Sequence, residues 1–185
     1  MKNICLLFVI GFGFFSLYGQ NLSDSNTYRV LKKVGKVEIR EYRPLLFAAY
    51  NDTINNNDSH FRVLADYIFG SNEKNEEIAM TSPVIIRLFN KNEMLFRMPE
   101  DYTKESVPKP NNENIRFIKT NSCKKAALSY GGYSNNKKEK AKITELKSIL
   151  DKNNIQHTNK FELFVYDPPY RLLNRRNEIV VKLIN

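Results

Sequence analysis

The sequence predicts one α+β domain with an internal duplication, in which helices flank the outside of a curved antiparallel sheet or distorted β-barrel. Three observations carry this expectation. The order strand, strand, helix, strand with proline, strand occurs twice along the chain. Each half holds one amphipathic helical stripe whose apolar face needs cover that the other elements must supply. The chain also ends in a hairpin pattern, 161–166 and 178–183, around Pro168-Pro169 and the polar run Asn174-Arg175-Arg176-Asn177-Glu178. In its second strand Ile179, Val181 and Leu183 share a face while Val180 and Lys182 share the other.

Residues 1–19 stand apart. Lys2 gives a positive start, an apolar run follows, and Gly19 offers a small residue for cleavage, the pattern of a secretory signal peptide. The run is shorter than the roughly 20 residues a membrane span needs. Cys5 sits too early to be the acylated cysteine of a lipoprotein leader. The expectation is an exported protein, periplasmic or secreted, without stable membrane insertion after cleavage. Residues 20–27 read as a linker and 28–185 as the domain, with halves at about 28–99 and 115–185.

The 185 residues are 42% hydrophobic and 26% charged, an ordinary globular composition with enough length for a substantial core. The formal charge is +9, but the excess is scattered. Basic and aromatic residues are not interleaved as a nucleic-acid surface requires. Cys123 is the one cysteine beyond the leader, so no intramolecular disulfide is expected. His60 and His157 with a single thiol make no metal-ligand set.

Taken in order, 37–42 alternates as a strand until Pro44, and 45–50 follows as a second, with Phe47 and Ala49 opposite Leu46, Ala48 and Tyr50. Asp58-Ser59 caps a helix whose stripe is Phe61, Leu64, Ala65 and Ile68, and Gly70 ends it. Residues 78–81 restart extended structure before Pro83. Residues 84–89 and 94–98 form a hairpin, with Met94, Phe96 and Met98 on one face. A proline-rich connector, 99–110, marks the midpoint. Residues 115–119 and 123–130 are strands, and Asn135 or Asn136 caps a helix to about Asn153. Its stripe is Ala141, Ile143, Leu146, Ile149 and Leu150.

Several of these stretches together resemble the SOUL haem-binding family. They are Val37-Glu38-Ile39-Arg40-Glu41-Tyr42, Tyr67-Ile68-Phe69-Gly70-Ser71-Asn72, Ile78-Ala79-Met80-Thr81-Ser82-Pro83-Val84, Phe96-Arg97-Met98-Pro99 and Pro108-Lys109-Pro110. Tyr166-Asp167-Pro168-Pro169 and Arg175-Arg176-Asn177-Glu178-Ile179 complete the set in family order. The resemblance implies two pseudo-symmetric βαββ-like repeats forming a distorted antiparallel β-barrel flanked by two helices. It also implies binding of haem or another tetrapyrrole in an apolar surface groove near the first helix and the loop after the second-half prolines. Carried onto this chain, the groove is Phe61, Leu64, Ala65 and Ile68 with Tyr170, Arg171 and Leu172, Arg171 being suited to a propionate. Glu41 stands where iron-ligating members have a histidine, so the tetrapyrrole is expected without an axial ligand from that place. His60, expected to be exposed in the first helical turn, is the alternative ligand.

Non-enzymatic tetrapyrrole binding is therefore the first functional expectation. The second is a small-molecule hydrolase or tetrapyrrole-modifying enzyme on the same barrel, because the resemblance extends to gyrase-inhibitor-like domains. Glu41, Glu178, Tyr42 and Tyr166 are its candidate groups. A third is a protein-interaction module. Against catalysis, Arg175, Arg176 and Glu178 read as a structural ion-pair network holding the last hairpin.

Overall fold

The computed structural model describes residues 27–52, 57–90, 92–168 and 170–184. The leader expected at 1–19 lies outside them. Among the described residues the order is β1 (Tyr28–Val34), β2 (Val37–Tyr42), β3 (Leu46–Tyr50), α1 (Asn57–Ile68), β4 (Val84–Arg87), β5 (Glu93–Arg97), β6 (Arg116–Lys119), β7 (Cys123–Gly131), α2 (Asn136–Lys152), β8 (His157–Val165) and β9 (Arg176–Leu183). All nine strands join one antiparallel sheet in the order β1-β2-β7-β9-β8-β4-β5-β3-β6. β1 and β6 are its two ends, and among the described residues the ladder does not close into a barrel.

The side-chain alternation read from the sequence sorts the strands onto two cores. Val37, Ile39, Leu46, Ala48, Tyr50, Met94, Phe96, Met98, Ile179, Val181 and Leu183 form one cluster with Leu64, Tyr67 and Ile68 of α1 and Leu146 and Leu150 of α2. Both helices thus cover the same face, α1 over β3 and β5, α2 over β7 and β9. Burying Leu146 or Leu150 completely stabilises the fold by about 2–3 kcal/mol each. Phe47, Ala49, Leu95, Ala127, Phe164 and Val180 form a second cluster on the opposite face. No helix belongs to that cluster, so the sheet curls to bury it against itself. Tyr42 of β2 accordingly meets Phe164 of β8 edge-on at 6.3 Å, although two strands lie between them in the ladder.

Four local expectations change. The sequence assigns no element to residues 28–34, yet Tyr28–Val34 forms β1, an edge strand exposed along most of its length and therefore without alternation. Residues 78–81 are extended but join no ladder. The Ile78 amide donates to the Ile68 carbonyl at 2.8 Å and the Thr81 hydroxyl to the Arg97 carbonyl at 2.6 Å. In α2 the stripe is narrower than expected: Leu146 and Leu150 are buried, Ile143 and Ile149 half-buried, and Ala141 is exposed. His60 is fully buried, not exposed. Its Nε2 lies 2.9 Å from Asp52 Oδ1, its Nδ1 3.2 Å from the Asn92 carbonyl, and its ring stands edge-on to Tyr50.

Two of the family-like stretches form a clasp below α1. Asn72 is 1% exposed and donates to the carbonyls of Tyr67 and Glu76, while its own oxygen accepts the Lys74 and Glu76 amides. The Tyr67 hydroxyl donates to the Pro108 carbonyl at 2.9 Å, and Asn72 bridges Pro110. These bonds tie the midpoint connector to the end of α1, so that the buried polar groups of both stretches are paired within the fold.

Candidate functional site

The loop between β8 and β9 is, over its described residues, a hydrogen-bonded frame with an apolar rim. Asp167 accepts the Arg176 amide and an Arg171 guanidinium N–H, both at 2.6 Å. Arg175 is buried and donates to the carbonyls of Asp167, Pro168 and Arg171 at 3.1, 2.5 and 3.0 Å, with its guanidinium 4.6 Å from the Tyr133 ring centre. Asn174 sits at φ 53°, a left-handed conformation that asparagine tolerates better than branched residues. So fixed, the loop displays Tyr170, Leu172 and Leu173 to water at 82%, 71% and 78% exposure. Three large apolar side chains are thus turned to water on a hydrogen-bonded frame. Arg175 therefore organises the loop backbone and, among the described residues, does not join the ion-pair network expected for it.

The seven residues expected to form the groove do not line one cavity. Tyr170, Arg171 and Leu172 are at the surface, whereas Leu64, Ala65 and Ile68 pack into the helix-side core. Phe61 is half-buried and stands edge-on to Phe96 at 5.3 Å. The helix and the loop are connected through the segment between α1 and β4, whose first residue, Val84, pairs with Val165 at the root of the loop. That segment carries the exposed side chains Phe69 and Met80.

Glu178 is the centre of a buried polar cluster on the curled face. Arg40 donates to both of its oxygens, at 2.7 and 2.9 Å, and the Ser129 hydroxyl, the Tyr166 hydroxyl and Arg176 donate at 2.7, 2.8 and 2.9 Å. Burial alone pushes a carboxyl up. Here the bonds and charge of Arg40, with Arg176 and Ser129, outweigh it and hold Glu178 at about 2. Burial raises the Tyr42 hydroxyl above the tyrosine range. A carboxylate so low, enclosed and saturated with donors is a structural anchor and not a proton-transfer group at neutral pH. Of the four groups considered for catalysis, Glu178, Tyr42 and Tyr166 meet around Arg40, while Glu41 points elsewhere and pairs with Arg29 at 2.7 Å. Arg40 was missed as the principal partner. Its signal was present, since alternation in β2 sets Glu38, Arg40 and Tyr42 on the face that Val180 also occupies.

Two cavities adjoin at the start of β3. One, of about 50 Å³, lies on the curled face between Tyr28, Tyr42, Phe47 and Phe164. The other, of about 240 Å³, opens between Leu46, Met98, Pro99, Lys104 and Lys119. Neither is lined by any of the seven expected groove residues. His60 has both ring nitrogens engaged and no exposed surface.

Comparison with known proteins follows this geometry. Over 124 residues, 63% of this chain, the sequence is 31% identical to Heme-binding protein 1 of Xenopus tropicalis, covering 65% of that protein. It is 26% identical over 121 residues to Heme-binding protein 1 of Sus scrofa, covering 61% of this chain and 64% of the relative. The match thus spans just under two thirds of these relatives' length. Among solved structures, the C-terminal domain of EcmrR superposes with a TM-score of 0.59 at 13% identity, over 85% of this chain and 98% of that one. A hydrolase from Listeria innocua superposes at 0.52 with 8% identity, over 83% and 93%. At such identities the likeness establishes the fold alone. The model of the SOUL heme-binding protein family matches residues 23–182, and the chain belongs to that family.

Proposed function

We propose that the protein binds haem, or another tetrapyrrole, without catalysis and outside the cytoplasm, as an exported periplasmic or secreted protein. The observation that carries the tetrapyrrole reading is the family match over residues 23–182, while export rests on the leader-like pattern of residues 1–19. The apolar groove is placed at the β8–β9 loop, where Tyr170 and Leu172 with neighbouring Leu173 offer a face to a flat macrocycle. In this reading Phe61, Leu64, Ala65 and Ile68 form the helix side of the groove, with Phe69 and Met80 exposed on the segment that follows α1. A macrocycle in this reading lies on the surface and is not swallowed, because the cavities described above, of about 50 and 240 Å³, are both smaller than the roughly 300–1,000 Å³ of an enclosing ligand pocket.

The residues fit a tetrapyrrole held by apolar contact and a propionate. The Arg171 side chain is 54% exposed and reaches the rim, bonded to Asp167, from which a propionate would take one of its N–H groups. In this binding mode neither His60, which is enclosed, nor Glu41, which is paired with Arg29, would supply an axial ligand to the iron. When bound, haem supplies the iron and its redox chemistry; the chain orients the macrocycle and shields one face from water. The paired halves of the chain, with β2, β3, α1, β4 and β5 matched by β6, β7, α2, β8 and β9, belong to the same reading, supported by the strand order.

Hemin titration of the full chain, followed at the Soret band, tests the proposal. Saturable one-to-one binding that Arg171→Glu weakens by about 1–3 kcal/mol is expected, the value of a charge-assisted bond. No saturable binding overturns the tetrapyrrole reading, and unchanged affinity in Arg171→Glu removes the loop as its site.

A further inference from the structure

Where β7 stops and β9 starts, the protein carries an apolar tip set among cations. Tyr170, Leu172 and Leu173 stand exposed on the β8–β9 loop. Tyr133, from the turn between β7 and α2, is exposed beside them, with the Arg175 guanidinium of the loop over its ring. The register brings the two segments together, since Gly131, the last residue of β7, pairs with Arg176, the first of β9. The first turn of α2 packs at the same place, the Lys138 ammonium donating to the Gly131 and Tyr133 carbonyls at 2.6 and 3.3 Å. Next to it Lys137 and Lys140 share an exposed helix face, and among the described residues neither forms an ion pair. The neighbouring carboxylates are already engaged: Asp167 by Arg171 and the Arg176 amide, Glu139 by the Ser134 hydroxyl, and Glu178 within its buried cluster.

Extent and charge together narrow what covers this tip. Its few apolar side chains fall short of the roughly 20–30 residues that each partner brings to a stable protein interface. A second copy docked here would set cations against cations, because a twofold interface uses the same patch from both sides. An anionic bilayer meets both conditions: leucines enter the acyl boundary, tyrosines sit at head-group level, and the cations beside them face phosphates. We infer that the β8–β9 loop docks the protein peripherally on a phospholipid surface bearing negative head groups, with Leu172 and Leu173 inserted and Lys137, Lys140 and Arg171 at the phosphates. The loop is the one used in the tetrapyrrole reading, but the inference rests on exposure and charge and not on haem.

The test uses the chain without residues 1–19, whose own apolar run would enter lipid; every element described above lies beyond them. The chain contains no tryptophan, so Leu172→Trp supplies a single reporter. With vesicles of phosphatidylcholine containing about one third phosphatidylglycerol, its emission should move to the blue and the protein should sediment with the lipid. Vesicles of phosphatidylcholine alone should bind at least about tenfold more weakly. Leu172→Ser combined with Leu173→Ser, both at exposed positions, should lower partition to the anionic vesicles by about tenfold. Lys137→Glu with Lys140→Glu should do the same. Lys152→Glu with Lys160→Glu changes the net charge equally but lies at the close of α2 and the start of β8, away from the tip, and should leave most of the binding. Indifference to the anionic vesicles, which would leave the tip to a protein partner, overturns the inference, as does an unshifted emission, an unaffected leucine double variant or equal losses in the two lysine pairs. Vesicles and hemin are assayed apart, so docking without hemin binding refutes the tetrapyrrole reading alone, and hemin binding without docking refutes this inference alone.

Discussion

Arg40 and Glu178 are 138 residues apart in sequence and joined by two N–H···O bonds of 2.7 and 2.9 Å, reaching across β7 from β2 to β9. Both side chains are out of water, at 2% and 0% exposure. Removing one partner leaves the other as an uncompensated buried charge, so Arg40→Met should cost about 3–5 kcal/mol. Urea denaturation of Arg40→Met beside the parent measures it; a loss under about 1 kcal/mol contradicts the anchoring role.

The same carboxylate gives a pH dependence. Its folded value is depressed from 4.5 to about 2, so the stability it contributes is present above 4.5 and is lost as pH falls from there through 2. The amount is on the order of 3 kcal/mol. Melting temperatures between pH 6 and pH 2.5 should fall in the parent, and Glu178→Gln should start lower and fall less steeply over that window. Parallel curves would assign the acid sensitivity to other carboxylates.

Leu146 and Ala141 lie on the same helix but in different surroundings, the first fully buried and the second exposed. Leu146→Ala should cost about 2–5 kcal/mol through the cavity it leaves. Ala141→Asp should stay within about 0.5 kcal/mol. Similar melting temperatures for the two variants would be incompatible with the helix orientation.

His60 holds the turn at Asn92 and the carboxylate of Asp52 against α1. His60→Ala should lower stability by on the order of 2–4 kcal/mol, through lost packing and unpaired acceptors. In the proposed binding mode it leaves the Soret position of the hemin complex unchanged. A shifted Soret band in folded His60→Ala would make the histidine an iron ligand.

Export is checked by fractionating the native host. The protein should be found outside the cytoplasm and about two kilodaltons smaller than its precursor, taking roughly 110 Da for each leader residue removed. Full-length protein in the cytosol would refute it.

Most of the fold was legible in the sequence because the alternation in β2, β3, β5 and β9 is strict and each face has its own core. The Asn135 cap was legible too, its side chain accepting the Lys138 amide at 2.9 Å. β1 was not, since an edge strand with little burial carries no periodic signal. The site divided along a different line. Tyr170 and Leu172 were legible as loop residues, but α1 spacing cannot tell a groove wall from a core stripe, and Leu64, Ala65 and Ile68 turned out to be core. His60 was misjudged because its burial depends on Asp52 and Asn92, which lie outside its own helix. The β2 alternation set Arg40 on the face of Val180, but its pairing with Glu178 was missed because that acceptor lies at the far end of the chain.

The strand order carries one more consequence. β2, from the first half, lies beyond β7 and β9 of the second, and β6, from the second half, lies beyond β3 and β5 of the first. The first half lends β1 and β2 to the strands of the second, and the second lends β6 to those of the first, so neither is a self-sufficient folding unit. Cutting the chain within the 99–110 connector should give two polypeptides that are insoluble or unstructured apart and assemble into the native sheet when expressed together, a split protein whose reassembly is written into its ladder.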